Sequence, residues 1–154
     1  MYHQAGMDPP APMESFASVP RYLRATGRAF TLAPTGDMLQ CAYEDEQLSA
    51  RVAMRALSSR AGSEWLALGV PICAAERVRP RAALVANAEL PIGALVLRDD
   101  VLVLRQTVPL QGLVPAQLEL TLRALVRTTA LLARALLATA AEPDRELPFR
   151  YLFK

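Results

Sequence analysis

From Ala116 to Ala141 the chain runs without a glycine or a proline, bracketed by Pro115 and Pro143, and every residue type in it favours or tolerates a helix. At 3.6 residues per turn, its charged side chains, Glu119, Arg123, Arg127 and Arg134, fall within about 80° of the helix surface. Nearly everything else is apolar or small. Leu118, Leu125, Leu132 and Leu136 lie opposite that stripe, with Leu120 and Leu131 flanking one side and Val126 and Leu137 the other. An apolar arc this wide exceeds the roughly 100° that one sheet face covers, and leucines left in water form a patch that monomers avoid. The pattern therefore predicts a second covering surface, either another copy of the chain or its first helix. Leu120, Val126, Leu131 and Leu137 are the expected interface residues.

The same four charges argue against a bilayer, whose core tolerates no such stripe on a lone span. With 154 residues and 53% hydrophobic side chains, the chain is expected to form one globular domain with a real core. Cys41 and Cys73 are too few for a disulfide framework or a four-cysteine zinc site, and both read as reduced core residues. Residues 1–20 show no basic start followed by an apolar run, so the expected compartment is the cytoplasm. Sixteen arginines against one lysine invite a nucleic-acid reading. Fifteen acidic residues leave a net charge of only +2, too small for a broad phosphate-tracking surface, so neither nucleic acid nor membrane is expected as a partner. The cluster Arg77, Arg79 and Arg81 reads as a solvated helix start.

Along the chain, residues 1–12 carry three prolines and no periodicity, and read as a flexible leader ahead of a single domain over 13–141. From Met13 to about Thr26, Phe16, Val19, Tyr22 and Leu23 have the spacing of a helix that stops at Gly27, with Pro20 the awkward residue. Residues 29–33 and 38–44 flank Pro34-Thr35-Gly36-Asp37 as a hairpin. Residues 47–57 alternate with a period of two, with helix as the competing reading, and residues 64–72 form a further strand ending near Pro71. Pro80 opens a short helix that Pro91 and Gly93 end. Ala94 to Val108 is a hairpin turning at Asp99-Asp100, so that Leu97 should face Leu102 and Leu95 should face Leu104. The tail, 142–154, alternates Phe149, Tyr151 and Phe153 against Arg150, Leu152 and Lys154. It reads either as a strand added to a sheet edge or as a strap over the core.

Motifs for chemistry do not assemble. There is no phosphate-binding glycine loop, no Cys-x-x-Cys, no His-Glu-x-x-His and no Gly-x-Ser-x-Gly, and the one histidine, His3, lies in the leader. Glu44-Asp45-Glu46 and Asp99-Asp100 read as solvated turns ahead of cation sites. No catalytic residue, cofactor or metal is expected. Trp65 reads as a core or interface anchor.

The run Asn87-Ala-Glu-Leu-Pro-Ile-Gly93-Ala-Leu-Val-Leu-Arg-Asp-Asp-Val-Leu-Val-Leu-Arg105, continued by Leu110, Gly112 and Ala116-Gln-Leu-Glu-Leu-Thr-Leu122, resembles the type III secretion chaperone-like superfamily, and within it the bacterial YbjN-like proteins. The resemblance spans about residues 14–140 and rests on hydrophobic order. It implies an α+β fold: an antiparallel sheet of about five strands packed by an N-terminal helix, a short middle helix and a long C-terminal helix. It also implies a non-enzymatic homodimer that binds another polypeptide, as a chaperone or a regulator. Secretion chaperones are typically acidic, and this chain, with a pI near 8.8, differs. Partner contacts are then expected from Leu120, Val126, Leu131, Leu137, Trp65, Phe149, Tyr151 and Phe153. The alternative is a small-ligand or signalling domain with a pocket between sheet and long helix, gated by Arg98 or Arg105.

Overall fold

A computed structural model describes residues 11–139. The chain folds as α1 (Ser18–Ala25), β1 (Phe30–Leu32), β2 (Met38–Glu44), β3 (Ser49–Ser58), β4 (Glu64–Ala74), α2 (Pro80–Ala88), β5 (Ala94–Arg98), β6 (Val101–Pro109) and α3 (Pro115–Thr139). This is the expected α+β class. All neighbours in the sheet run antiparallel in the order β1-β2-β3-β4-β6-β5. The sheet has six strands, one for each strand-like run along the chain, where the resemblance implied about five; the run at 29–33 forms the three-residue edge strand β1.

Alternation sorts the sheet's two faces. Leu39, Cys41, Tyr43, Val52, Met54, Leu66, Leu68, Leu102 and Leu104 point one way and are buried, together with Val19 and Leu23 of α1 and Leu118, Leu122 and Leu125 of α3. The predicted opposition within α3 is observed: Leu118, Leu125, Leu132 and Leu136 are all core. So is the hairpin register, with Leu97 opposite Leu102 and Leu95 opposite Leu104. Asp99 and Asp100 make its turn at φ 46° and 61°, the left-handed conformation that a two-residue hairpin loop requires and that Asp tolerates.

Prolines explain where expected boundaries moved. The helix expected from Met13 starts at Ser18, because a start at Met13 would place Pro20 in the interior, where its ring meets a carbonyl; from Ser18 it falls in the first turn, where no N–H is needed. Upstream, Met13 is instead buried and its N–H donates to the Leu113 carbonyl at 2.8 Å. β4 does not end near Pro71 but continues to Ala74 through a bulge between Pro71 and Cys73. Pairing with β3 stops at Gly69, so the missing proline N–H breaks no ladder on that side.

Among the described residues, no helix is long and apolar enough to cross a membrane, and all three helices lie on the core side of the sheet. The other face carries no described element.

Candidate functional site

Where α1, β2 and α3 converge, Glu119 accepts two short bonds. The Tyr22 hydroxyl donates to its Oε2 at 2.6 Å, and Arg28 Nη2 donates to its Oε1 at 2.6 Å. The Arg28 guanidinium also lies over the Tyr43 ring, 4.7 Å from its centre, with the side chain 15% exposed. Its buried Nη1 has no hydrogen-bond partner, so the ring's electron-rich face supplies the remaining compensation. Glu119, one of the four charges that the sequence places in a stripe along the helix, ties the start of α3 to residues more than ninety positions away.

Chemically this cluster is a lock. Burial, followed by the hydrogen bond to Glu119 and the charge of that carboxylate, raises the Tyr22 phenol well above its ordinary value of 10. Burial likewise pushes the neighbouring Cys41 thiol up to about 11. Both shifts run opposite to those that activate a nucleophile at neutral pH.

One consequence is measurable. The folded chain holds the Tyr22 proton more tightly than the unfolded chain does. Its contribution to stability is therefore complete below about pH 10 and is lost as the pH rises above that value toward the higher one of the folded state. Tyr22→Phe is expected to lower stability at neutral pH by about 1–2 kcal/mol and to flatten the alkaline loss, as read by urea melts on either side of that pH. Parallel losses in the two proteins would contradict this assignment.

A second feature is apolar. Between α2 and the β5–β6 hairpin lies a groove of about 320 Å³, lined chiefly by Val78, Ala83, Leu84, Leu95, Leu97 and Leu102. Leu84 and Leu97 at its rim are 70% and 61% exposed. Asn87 Oδ1 accepts from the Leu95 N–H at 2.8 Å and so pins α2 to β5, the sheet's edge strand. With a period of two, the Leu97 N–H also points outward from that edge.

The other sequence-predicted residues are dispersed. Leu120 and Leu131 stand out from α3, 64% and 65% exposed. Leu137 is half-buried. Val126, expected at an interface, is instead buried in the chain's own core, because α3 sinks that flank against the sheet and α2. Trp65 is 36% exposed on the uncovered sheet face. Phe149, Tyr151 and Phe153 lie outside the described residues.

Arg98 and Arg105 do not gate a pocket under α3. They alternate with the groove-lining leucines and so project from the opposite side of the sheet. On the helix side, Asp45 and Glu46 of the expected acidic turn sit below Arg123 and Arg127. Backbone N–H groups of Gln47 and Leu48 donate to Asp45 Oδ1, which holds the Asp45 carboxyl below its usual range.

Sequence reasoning passed over Leu84 and Leu97 as interface candidates. The signal was present in Leu97, whose hairpin partner Leu102 is core while it sits on the sheet's outer edge, but edge position is a property of strand order.

The fold defines an α+β domain whose sheet has one helix-covered face and one that no described element covers. No family model and no curated protein matches the chain.

Proposed function

We propose that this chain is a non-enzymatic, cytoplasmic protein-binding module, chaperone-like or regulatory, that acts as a homodimer in the manner of the YbjN-like and secretion-chaperone proteins it resembles. The observation that carries the reading is the pair Leu120 and Leu131, exposed on the outer side of α3 and about 16 Å apart along it at 1.5 Å per residue. Ala124, Thr128 and Ala135 lie along the same seam at spacings of three and four, small enough for close helix approach. Two copies of α3 packed antiparallel set each Leu120 against the other's Leu131, an isologous contact. The α2–β5 groove and the outward β5 edge then remain for a partner's apolar side chains and backbone.

Leu131→Asp tests the dimer. Light scattering at micromolar concentration is expected to give the mass of two chains for the parent and of one for the variant, with the thermal midpoint of the single chain little changed because the residue is exposed. A parent protein with the mass of one chain would refute the dimer.

The groove's size also sits near the lower end for small-molecule pockets. Asn87, the polar side chain in its lining, is already engaged by Leu95, which leaves little to orient a polar ligand.

A further inference from the structure

We infer that the open face of the sheet is a docking trough for an extended, acidic polypeptide segment laid along β4. The proposal rests on the protein-binding reading above and names the chemistry of the partner.

The floor is small and apolar. β4 presents Ala67, Gly69 and Pro71 on this face, with Ala53 of β3 beside Gly69 in the register and Trp65 closing one end. Val103 of β6 leans in, its Cγ1 within 3.2 Å of where a Gly69 side chain would begin. Central strands ordinarily carry β-branched or aromatic residues at such positions, so the small residues of β4 keep this floor low beside the long arginines of the neighbouring strands.

The walls are basic. Arg51 and Arg55 rise from β3, Arg105 from β6 and Arg98 from β5. β3 and β6 each lie about 4.8 Å from β4, so the walls stand about 10 Å apart, the width of one extended chain with its side chains. Rows of the register set Arg105 beside Gly69 and Arg55 beside Ala67, diagonally across the trough. None of these four guanidiniums is ion-paired among the described residues. Arg55 lends part of its field to Asp37, whose carboxyl is held down first by the Thr35 hydroxyl.

Against these four charges the strands place one carboxylate on this face, Glu44 at its corner, although acids and bases nearly balance over the chain as a whole. The imbalance selects the occupant. A second copy docked face to face would bring arginine against arginine. Single-stranded nucleic acid stacks on successive aromatic rings, and among the described residues Trp65 is the one ring that the strands place on this aliphatic face. An extended segment alternating acidic with aliphatic residues satisfies both floor and walls.

The test uses the full chain and three labelled probes: a peptide of alternating aspartate and valine, its lysine and valine counterpart, and an oligo-dT strand. The acidic peptide is expected to bind with strong salt dependence and to perturb the backbone amide resonances of β3, β4 and β6. Arg55→Glu/Arg98→Glu, both at exposed positions, is expected to weaken it about tenfold or more while melting like the parent. Tighter binding of oligo-dT, or amide shifts confined to α2 and β5, would overturn the inference and, in the second case, leave the protein-binding reading standing. Failure of the acidic peptide to bind a protein that still dimerises through Leu131 would overturn the trough alone. Failure of every peptide on a chain with the mass of one copy would end both.

Discussion

Leu125→Asp is expected to yield no cooperatively folded protein. The side chain is fully buried at the centre of α3, over the middle of the sheet, with Leu118, Leu122 and Leu132 on the same stripe. Removing it as Leu125→Ala should already cost about 3–5 kcal/mol in lost transfer energy and cavity. The aspartate adds desolvation of a carboxylate that no cation in the core offsets, several kcal/mol more. A domain of this size has about 5–15 kcal/mol in all. Circular dichroism melts should show Leu125→Ala folded with a depressed midpoint and Leu125→Asp without a transition, while Leu131→Asp, fewer than two turns further on, keeps its fold. A sharp transition near the parent midpoint in Leu125→Asp would mean that α3 does not seat on the sheet as described.

Gly93→Ala should be the most damaging conservative change on the surface. Gly93 enters β5 at φ 68°, where a β-carbon costs about 1–2 kcal/mol. A β-carbon there would also stand 2.6 Å from the Arg105 carbonyl oxygen, a backbone atom held in the β5–β6 ladder that has nowhere to move. Overpacking of that kind adds about 1–3 kcal/mol. At roughly 2–4 °C per kcal/mol for a chain of this length, the midpoint should fall by about 4–20 °C. Gly36→Ala is the control: φ is also positive, at 74°, but nothing lies within 4 Å of the added carbon, so only the conformational penalty applies. Equal losses in the two variants would show that the contact with Arg105 is immaterial.

Much of the fold was legible because its signals are local. Proline, glycine and acidic turn residues punctuate the chain where backbone geometry demands them, and the leucines of Ala94 to Val108 alternate strictly enough to set the hairpin register from a two-residue turn. The candidate surfaces were less legible. Leu120 and Leu131 followed from helical geometry, but Val126 was assigned to a partner because periodicity shows how wide an apolar arc is and not how deeply the helix sinks. The pleat already separates Arg98 and Arg105 from the four leucines of the hairpin, but only the packing of α3 shows which face the helices cover, and the arginines lie on the other. Glu119 shows the same limit: nothing local in its stripe of charges points to Tyr22 of α1 and Arg28 just beyond that helix as its partners.

By itself the sequence determined the α+β class, the order of the elements, the tight hairpin and the buried stripe of the long helix. Each depends on residues within a few positions of one another, where chain geometry leaves few choices. Only the tertiary structure decided the strand order β1-β2-β3-β4-β6-β5, the face that the described helices cover and, with them, which leucines remain exposed and which arginines gather without an ion pair among the described residues. Those outcomes depend on contacts between residues tens of positions apart, selected by the burial of the whole core at once, and no local pattern carries that information.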